Sequence, residues 1–229
     1  GAHSNDNAGV LNRGQTRIYK LKNTQNGAEF WEQRGSSIYG PGANSRNGYS
    51  VSLSGNGNRV AIGEYYHSAN NILYNGQTRI FEYNGTDWNS VGNAIIGASF
   101  DIWSGVSVSL STDGNRVAIG AWKHKNKGDD TGQTKIYVFG ENDWGEEKSI
   151  DGEAERDNSG KEVSLSGDGN TVAIGAFKHN GANGTDSGHV QIYRLAGTAW
   201  NKLGSNIDGE AALDESGYAV KLSNDGNTV

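Results

Sequence analysis

Three regularities in the sequence predict an all-β chain built from four-stranded antiparallel units. The first is a block of about 57 residues. Val51-Ser-Leu-Ser-Gly-Asn-Gly-Asn-Arg-Val-Ala-Ile-Gly63 returns with few changes at Val108–Gly120 and Val163–Gly175, and a fourth copy opens at Val220. The second is a turn pair inside every copy: Asn56-Gly57, Asp113-Gly114, Asp168-Gly169 and Asp225-Gly226. Such pairs favour the tight hairpin turn in which both central residues take positive φ. The third is the recurrence of Trp31, Trp88, Trp144 and Trp200 at intervals of 57, 56 and 56 residues. A fixed period of this size marks supersecondary units stacked into one array, so residues 1–229 are read as a single domain of four repeats.

The unit that begins at Asp101 shows how each strand is justified. Val106-Ser-Val-Ser-Leu-Ser111 alternates apolar and small polar residues, the pattern of a half-buried strand. Asp113-Gly114 turns the chain, and Arg116-Val-Ala-Ile-Gly120 returns as the second strand. After a longer polar loop, Gln133-Thr-Lys-Ile-Tyr-Val-Phe139 is rich in β-branched and aromatic residues, which suits a third strand. The fourth opens at Trp144. No stretch sustains a helical period.

Four-stranded antiparallel units in tandem fit a β-propeller, with each unit forming one blade. The ends of the sequence suggest how it closes. Gly1-Ala2 aligns with Gly120-Ala121, just after a second strand, and Asn227-Thr228-Val229 aligns with Asn170-Thr171-Val172, inside one. The expectation is a ring of four blades whose last blade combines strands from both ends. A window from a longer array of six to eight blades is the alternative.

Bulk composition narrows the function classes. The net charge is −6 with no basic block, which argues against nucleic acid as a partner. There is no Cys, so disulfides and thiolate metal sites are excluded. No run of about 18 apolar residues occurs, so no membrane insertion is expected. The absence of Met and of a leader-like segment reads as a processed or excised product.

The succession Ser-Val-Ser strand, Asp-Gly-Asn turn, Val-Ala-Ile-Gly-Ala strand and Gly-Gln-Thr-Arg-Ile strand resembles the FG-GAP repeat family, which includes the blades of the integrin α head. The resemblance covers essentially the whole chain. It implies a propeller and an extracellular setting, and it is compatible with adhesion, carbohydrate binding or scaffolding. Two departures stand out. Family members often carry a calcium loop, but the turns here offer at most one carboxylate each, against the six to eight oxygens calcium takes. No cofactor is therefore assigned, calcium included. The Pro of the family's Gly-Ala-Pro signature is replaced by His3, Tyr65, Trp122 and Phe177.

The loops between strands two and three, and the connections from strand four to the next unit, should emerge on one face. They are long and divergent, the kind of loop on which binding sites are carried. There the sequence places Tyr65 and His67, Trp122 and His124, Phe177 and His179. It adds Trp103, and Asp101, Asp157 and Asp214 shortly before Gly105, Gly160 and Gly217. Aromatic faces flanked by carboxylates and imidazoles suit a sugar, whose C–H side stacks while its hydroxyls hydrogen-bond. The competing roles are structural. The aromatics can plug gaps between blades, the Asp residues can cap turns, and the four Trp at strict period should lie in inter-blade cores. His67, His124 and His179 align across three units; their convergence on a metal is considered, and no metal is assigned. No nucleophile or phosphate-loop motif is present, and the chain is not expected to be an enzyme. Sequons at Asn84 and Asn183 mark candidate N-glycosylation sites. The expectation is a secreted or cell-surface binding module for glycans or glycoproteins. A structural propeller within an extracellular assembly of protein chains is the alternative.

Overall fold

The computed structural model describes residues 1–6 and 9–229, and every named element among them is a β-strand. Three complete blades follow one another. The first comprises β5 (Ser50–Leu53), β6 (Arg59–Glu64), β7 (Gln77–Tyr83) and β8 (Trp88–Ser90), with β9 (Ile95–Ile96) also on β7. The second comprises β10 (Ser107–Leu110), β11 (Arg116–Ala121), β12 (Gln133–Phe139) and β13 (Trp144–Asp151). The third comprises β14 (Glu162–Leu165), β15 (Thr171–Ala176), β16 (His189–Ala196) and β17 (Ala199–Lys202), with β18 (Ile207–Asp208) on β16. All pairings within them are antiparallel. Before them stand the outer strands of a further blade, β1 (Gln15–Thr16), β2 (Tyr19–Asn23), β3 (Glu29–Gln33) and β4 (Ile38–Tyr39); after them the chain begins another inner hairpin at Val220. Among the described residues no helix is long and apolar enough to cross a membrane.

The cores lie between neighbouring sheets, and this explains why so modest an apolar content suffices. Val-Ala-Ile of each second strand is buried on both faces. Ala61 and Ile80 of the first blade meet Val108, Leu110, Val117 and Ile119 of the second; Ala118 and Ile136 of the second meet Val163, Leu165, Val172 and Ile174 of the third. The periodic Trp residues complete these junctions. The Trp144 indole donates to the Val91 carbonyl at 2.9 Å, and that of Trp200 to Glu147 at 3.0 Å, each across a blade boundary. Innermost strands are tied in the same direction: the N–H groups of Leu110, Leu165 and Leu222 donate to Ser52, Ser109 and Ser164 of the preceding blade at 2.9–3.0 Å.

The expected ring is not closed. Among the described residues no strand pairing or backbone hydrogen bond joins Val220–Val229 to the N-terminal strands. Each end is anchored to its own neighbour instead. Leu222 packs on Ala173 and Val190, while Ile18 and Ile38 pack on Val60 and Ile62. Trp31, expected in an inter-blade core, is therefore 67% exposed, whereas Trp88, Trp144 and Trp200 are buried.

The expected hairpins form, but not with positive φ at both residues of each pair: Gly57, Gly114, Gly169 and Gly226 take it, whereas Asn56, Asp113, Asp168 and Asp225 do not, because each glycine N–H closes a turn on the Ser carbonyl three residues before it. These turns hold their carboxylates within themselves. In the second blade Asp113 accepts from the Ser111 hydroxyl at 2.6 Å and from the Asn115 N–H at 2.9 Å. Burial pushes the Asp113 carboxyl up, but these donors outweigh it and hold it below its ordinary range.

Candidate functional site

The two loop classes do share one face, and each is locked to the other by backbone. Gly76, Gly132 and Gly188, each just before a third strand, bridge Ser104, Ser159 and Ser216 in the following connections. A Cβ on Gly76 would meet the Ser104 carbonyl oxygen at 2.1 Å, so only glycine allows the approach. The connections also repeat a left-handed backbone at Asn44, Asp101, Arg156 and Leu213, and again two residues later at Arg46, Trp103, Asn158 and Glu215. These loops thus differ in side chains and agree in backbone. They form a uniform frame that carries variable chemistry.

On the first and second blades that chemistry is aromatic. Tyr49, Tyr65, Trp103 and Trp122 run in contact, with ring centroids 4.4, 5.1 and 5.3 Å apart. Tyr66 joins Tyr65 and Trp103 and stacks on Tyr74 at 4.2 Å; His3 meets Tyr49 at 5.3 Å. None of these rings is fully buried: Tyr49 is exposed, and Tyr65, Trp103 and Trp122 pack against one another with part of each ring left at the surface. Polar groups edge the strip. Asp101 accepts from the Trp103 indole at 2.7 Å, and the Lys123 ammonium lies 4.0 Å over the Trp103 ring and 3.6 Å from Asp101. The hydrogen bond between Tyr66 and Tyr74, with a smaller contribution from burial, raises the Tyr66 phenol. Tyr49 and Tyr74 escaped sequence reasoning: Asn12, Asp130 and Asp186 stand at the Tyr74 position, and Tyr49 shares its position with Val106, Lys161 and Tyr218, a set with no common chemistry.

Phe177 lies apart from the strip, edge-on to Tyr218 at 5.2 Å, with Lys178 over its ring. The aligned histidines do not converge. His67 faces Ser45 at 3.3 Å, His124 has a buried Nδ1 without a partner among the described residues, and His179 faces Asp157 at 3.0 Å. Each belongs to its own blade junction, because strand twist carries equivalent loops around the array. Burial lowers the imidazoles of both His67 and His124. The three Asp residues separate too. Asp101 takes the left-handed position four residues before its glycine, whereas Asp157 and Asp214 stand three before theirs and cap turns. Asp157 accepts from the Glu153 and Ala154 N–H groups, and Asp214 from that of Ala211.

Two clusters were not foreseen. Glu64 is wholly buried where the next two blades have Ala121 and Ala176, and is satisfied by Asn47, Gln77 and Arg79. In the third blade Glu153, His179 and His189 come together. His189 replaces the Gln found at positions 15, 77 and 133, a break in the repeat that was legible beforehand. Burial, with His179 beside it, pushes the His189 imidazole down to about 4. At the sequons, Asn84 is exposed, whereas the Asn183 amide nitrogen donates to the Gly209 carbonyl at 2.7 Å.

The comparisons agree with this blade grammar. Residues 144–193 match the family model for the FG-GAP repeat. The chain carries an FG-GAP repeat. That FG-GAP segment runs from the fourth strand of the second blade to the third strand of the third, and contains Glu153, His179 and His189. A search of curated proteins finds no match to the sequence. A crystal structure of a candidate 6-phosphogluconolactonase from Bacteroides uniformis ATCC 8492 superposes with a TM-score of 0.55 at 11% identity, over 86% of this chain and 50% of that one. The chain thus spans about half the length of that protein. At this identity the likeness shows the fold alone, an array of antiparallel propeller blades.

Proposed function

We propose that this chain is a non-enzymatic, secreted or cell-surface binding module that takes a glycan, free or on a glycoprotein. The observation that carries the reading is the partly exposed strip Tyr49–Tyr65–Trp103–Trp122, edged by Asp101 and Lys123. Flat π-faces accept the C–H side of a sugar ring, and the flanking charged groups suit its hydroxyls. The strip sits on glycine-locked backbone, so little ordering is needed on binding. Asp101, Asp157 and Asp214 are each engaged within their own loops, which supports binding over acid–base catalysis at this face.

The test is a glycan array with the purified chain, run with calcium and then with a chelator, beside Trp103→Ala and Trp122→Ala. Defined hits lost in both variants, at an unchanged melting temperature, are expected. A blank array from folded protein would reject the glycan.

One observation favours a second reading, a structural propeller within a larger extracellular assembly. Leu21 and Trp31 are exposed on the first sheet, and Leu203 and Ile207 on the last, positions whose counterparts in the inner junctions are mostly covered. A ring or assembly that buries both faces is what this reading requires. A solution mass well above 24.4 kDa is its expected signature, and a monomer across the micromolar range would reject it.

A further inference from the structure

The strongest unassigned chemistry lies in the junction between the second and third blades. One ligand atom each from Glu153, His179 and His189 lies within 4.8 Å of the other two. The connection before β14 supplies Glu153, the loop after β15 supplies His179, and the first residue of β16 is His189. His189 is wholly buried, and among the described residues its Nε2 has no hydrogen-bond partner. The His179 ring lies against it, centroids 4.0 Å apart. A buried polar nitrogen without a partner is costly, and its presence inside a set of ligand-bearing groups calls for an occupant.

The surroundings specify that occupant. Asp157, itself buried, accepts from or faces His179 Nδ1 at 3.0 Å, and its other oxygen is fixed by two backbone N–H groups. This carboxylate–imidazole pair presents His179 Nε2 outward, the arrangement that orients a metal-ligating histidine. Asn206 bridges Glu153 Oε2 and His189 Nδ1, at 3.3 and 3.1 Å. Asp208 stands 3.9 Å from His189 Nδ1. Lys202 lies 3.1 Å from Glu153 Oε1 and Gln191 donates to the same oxygen at 2.6 Å, so Oε2, met by the longer Asn206 contact, is the freer oxygen for another cation. Three carboxylates, Glu153, Asp157 and Asp208, thus face the two imidazoles against one ammonium, that of Lys202.

Repeat symmetry isolates the feature. At the preceding junction the equivalent residues are Ala98, His124 and Gln133, and before that Pro41, His67 and Gln77. Only here do a carboxylate and two imidazoles replace that set.

We propose that Glu153, His179 and His189 hold a divalent transition-metal ion of the zinc type. Two imidazoles and a carboxylate suit Zn²⁺, whereas Ca²⁺ takes oxygen ligands alone. Bonds of about 2.1 Å set tetrahedral ligand atoms roughly 3.4 Å apart, so the set contracts by at most about 1.4 Å on binding, within reach of the partly exposed His179 and Glu153.

The experiment is calorimetric titration of chelator-treated protein with Zn²⁺ alone, paired with thermal melting. Tetrahedral Co²⁺ absorption serves as an independent readout. One equivalent per chain is expected, with a raised melting temperature. Affinity should fall at least tenfold in His179→Ala and in Glu153→Gln, both at partly exposed side chains that leave the fold intact. His189→Gln, which restores the residue of the other repeats, should abolish binding in a folded chain. His67→Ala and His124→Ala should bind as the parent does. No stoichiometric binding by the folded parent, or binding that survives in His179→Ala and Glu153→Gln, would overturn the assignment.

Discussion

The first-to-second and second-to-third blade junctions share one backbone and carry opposite chemistry. Around the first, the loops present Tyr65, Tyr66, Trp103 and Trp122 to solvent as a continuous aromatic strip. Around the second, equivalent loops bring together Glu153, Asp157, His179 and His189, and the aromatics shrink to an isolated Phe177–Tyr218 pair. The glycine bridges and the left-handed residues are the same in both. A propeller junction therefore divides its labour. The strands and the glycines hold the frame, and a handful of loop positions is free to change class without cost to it.

The largest expected effect tests the shared frame. Trp144→Ala should lower stability by about 3–5 kcal/mol, as for other large aromatics removed from a core, and Trp200→Ala by a similar amount. Trp31→Ala, at the uncovered face, should cost less than about 1 kcal/mol by denaturant unfolding. Equal losses at all three would show that Trp31 is covered in solution. Next comes a transplant: Ala98→Glu with Gln133→His should give the earlier junction the set around His124 and add a second zinc equivalent by calorimetry. Failure in a folded variant would mean that Asp157, absent at that junction, is indispensable to the set.

At the aromatic junction, Trp103→Ala should weaken glycan binding at least tenfold, about 1.4 kcal/mol, with Lys123→Ala weaker in effect. Surface binding assays at fixed salt would read both. The smallest effect concerns the turns. Asp113, Asp168 and Asp225 are held below their ordinary range, the first two against burial, by serine hydroxyls and asparagine N–H groups. Their folded values lie below the unfolded value near ~4, so their stabilisation is complete above about pH 4 and is lost as pH falls through the folded values. Changing all three to Asn, as at Asn56, should flatten the acid limb of stability measured by chemical denaturation between about pH 2 and 5.

Much of the molecule was legible in advance for reasons that can be named. Turn pairs such as Asp113-Gly114 act locally, so they report their hairpins directly. The period of Trp88, Trp144 and Trp200 reported the junction cores because each unit meets the next in the same way. Tyr65 and Trp122 could be placed on the loop face because strand order alone decides where loops emerge. His189 was less visible: it opens a strand, and only its deviation from Gln77 and Gln133 hints at a role. Its pairing with Glu153 crosses a blade boundary over 36 positions of sequence, and no local pattern encodes such a distance.

By itself the sequence determined the unit, its four strands, the places of its hairpins though not their turn type, and the face on which its chemistry is displayed, because all of these follow from local conformational preference and a fixed period. Only the tertiary structure decided that the three aligned histidines stay apart, that Asp157 serves His179 while Asp101 serves Trp103, and that the terminal strands stay unpaired. Those outcomes depend on the angle and twist between successive sheets, which set where equivalent loops meet. Inter-sheet geometry is a property of the assembled array, fixed by packing at every junction at once.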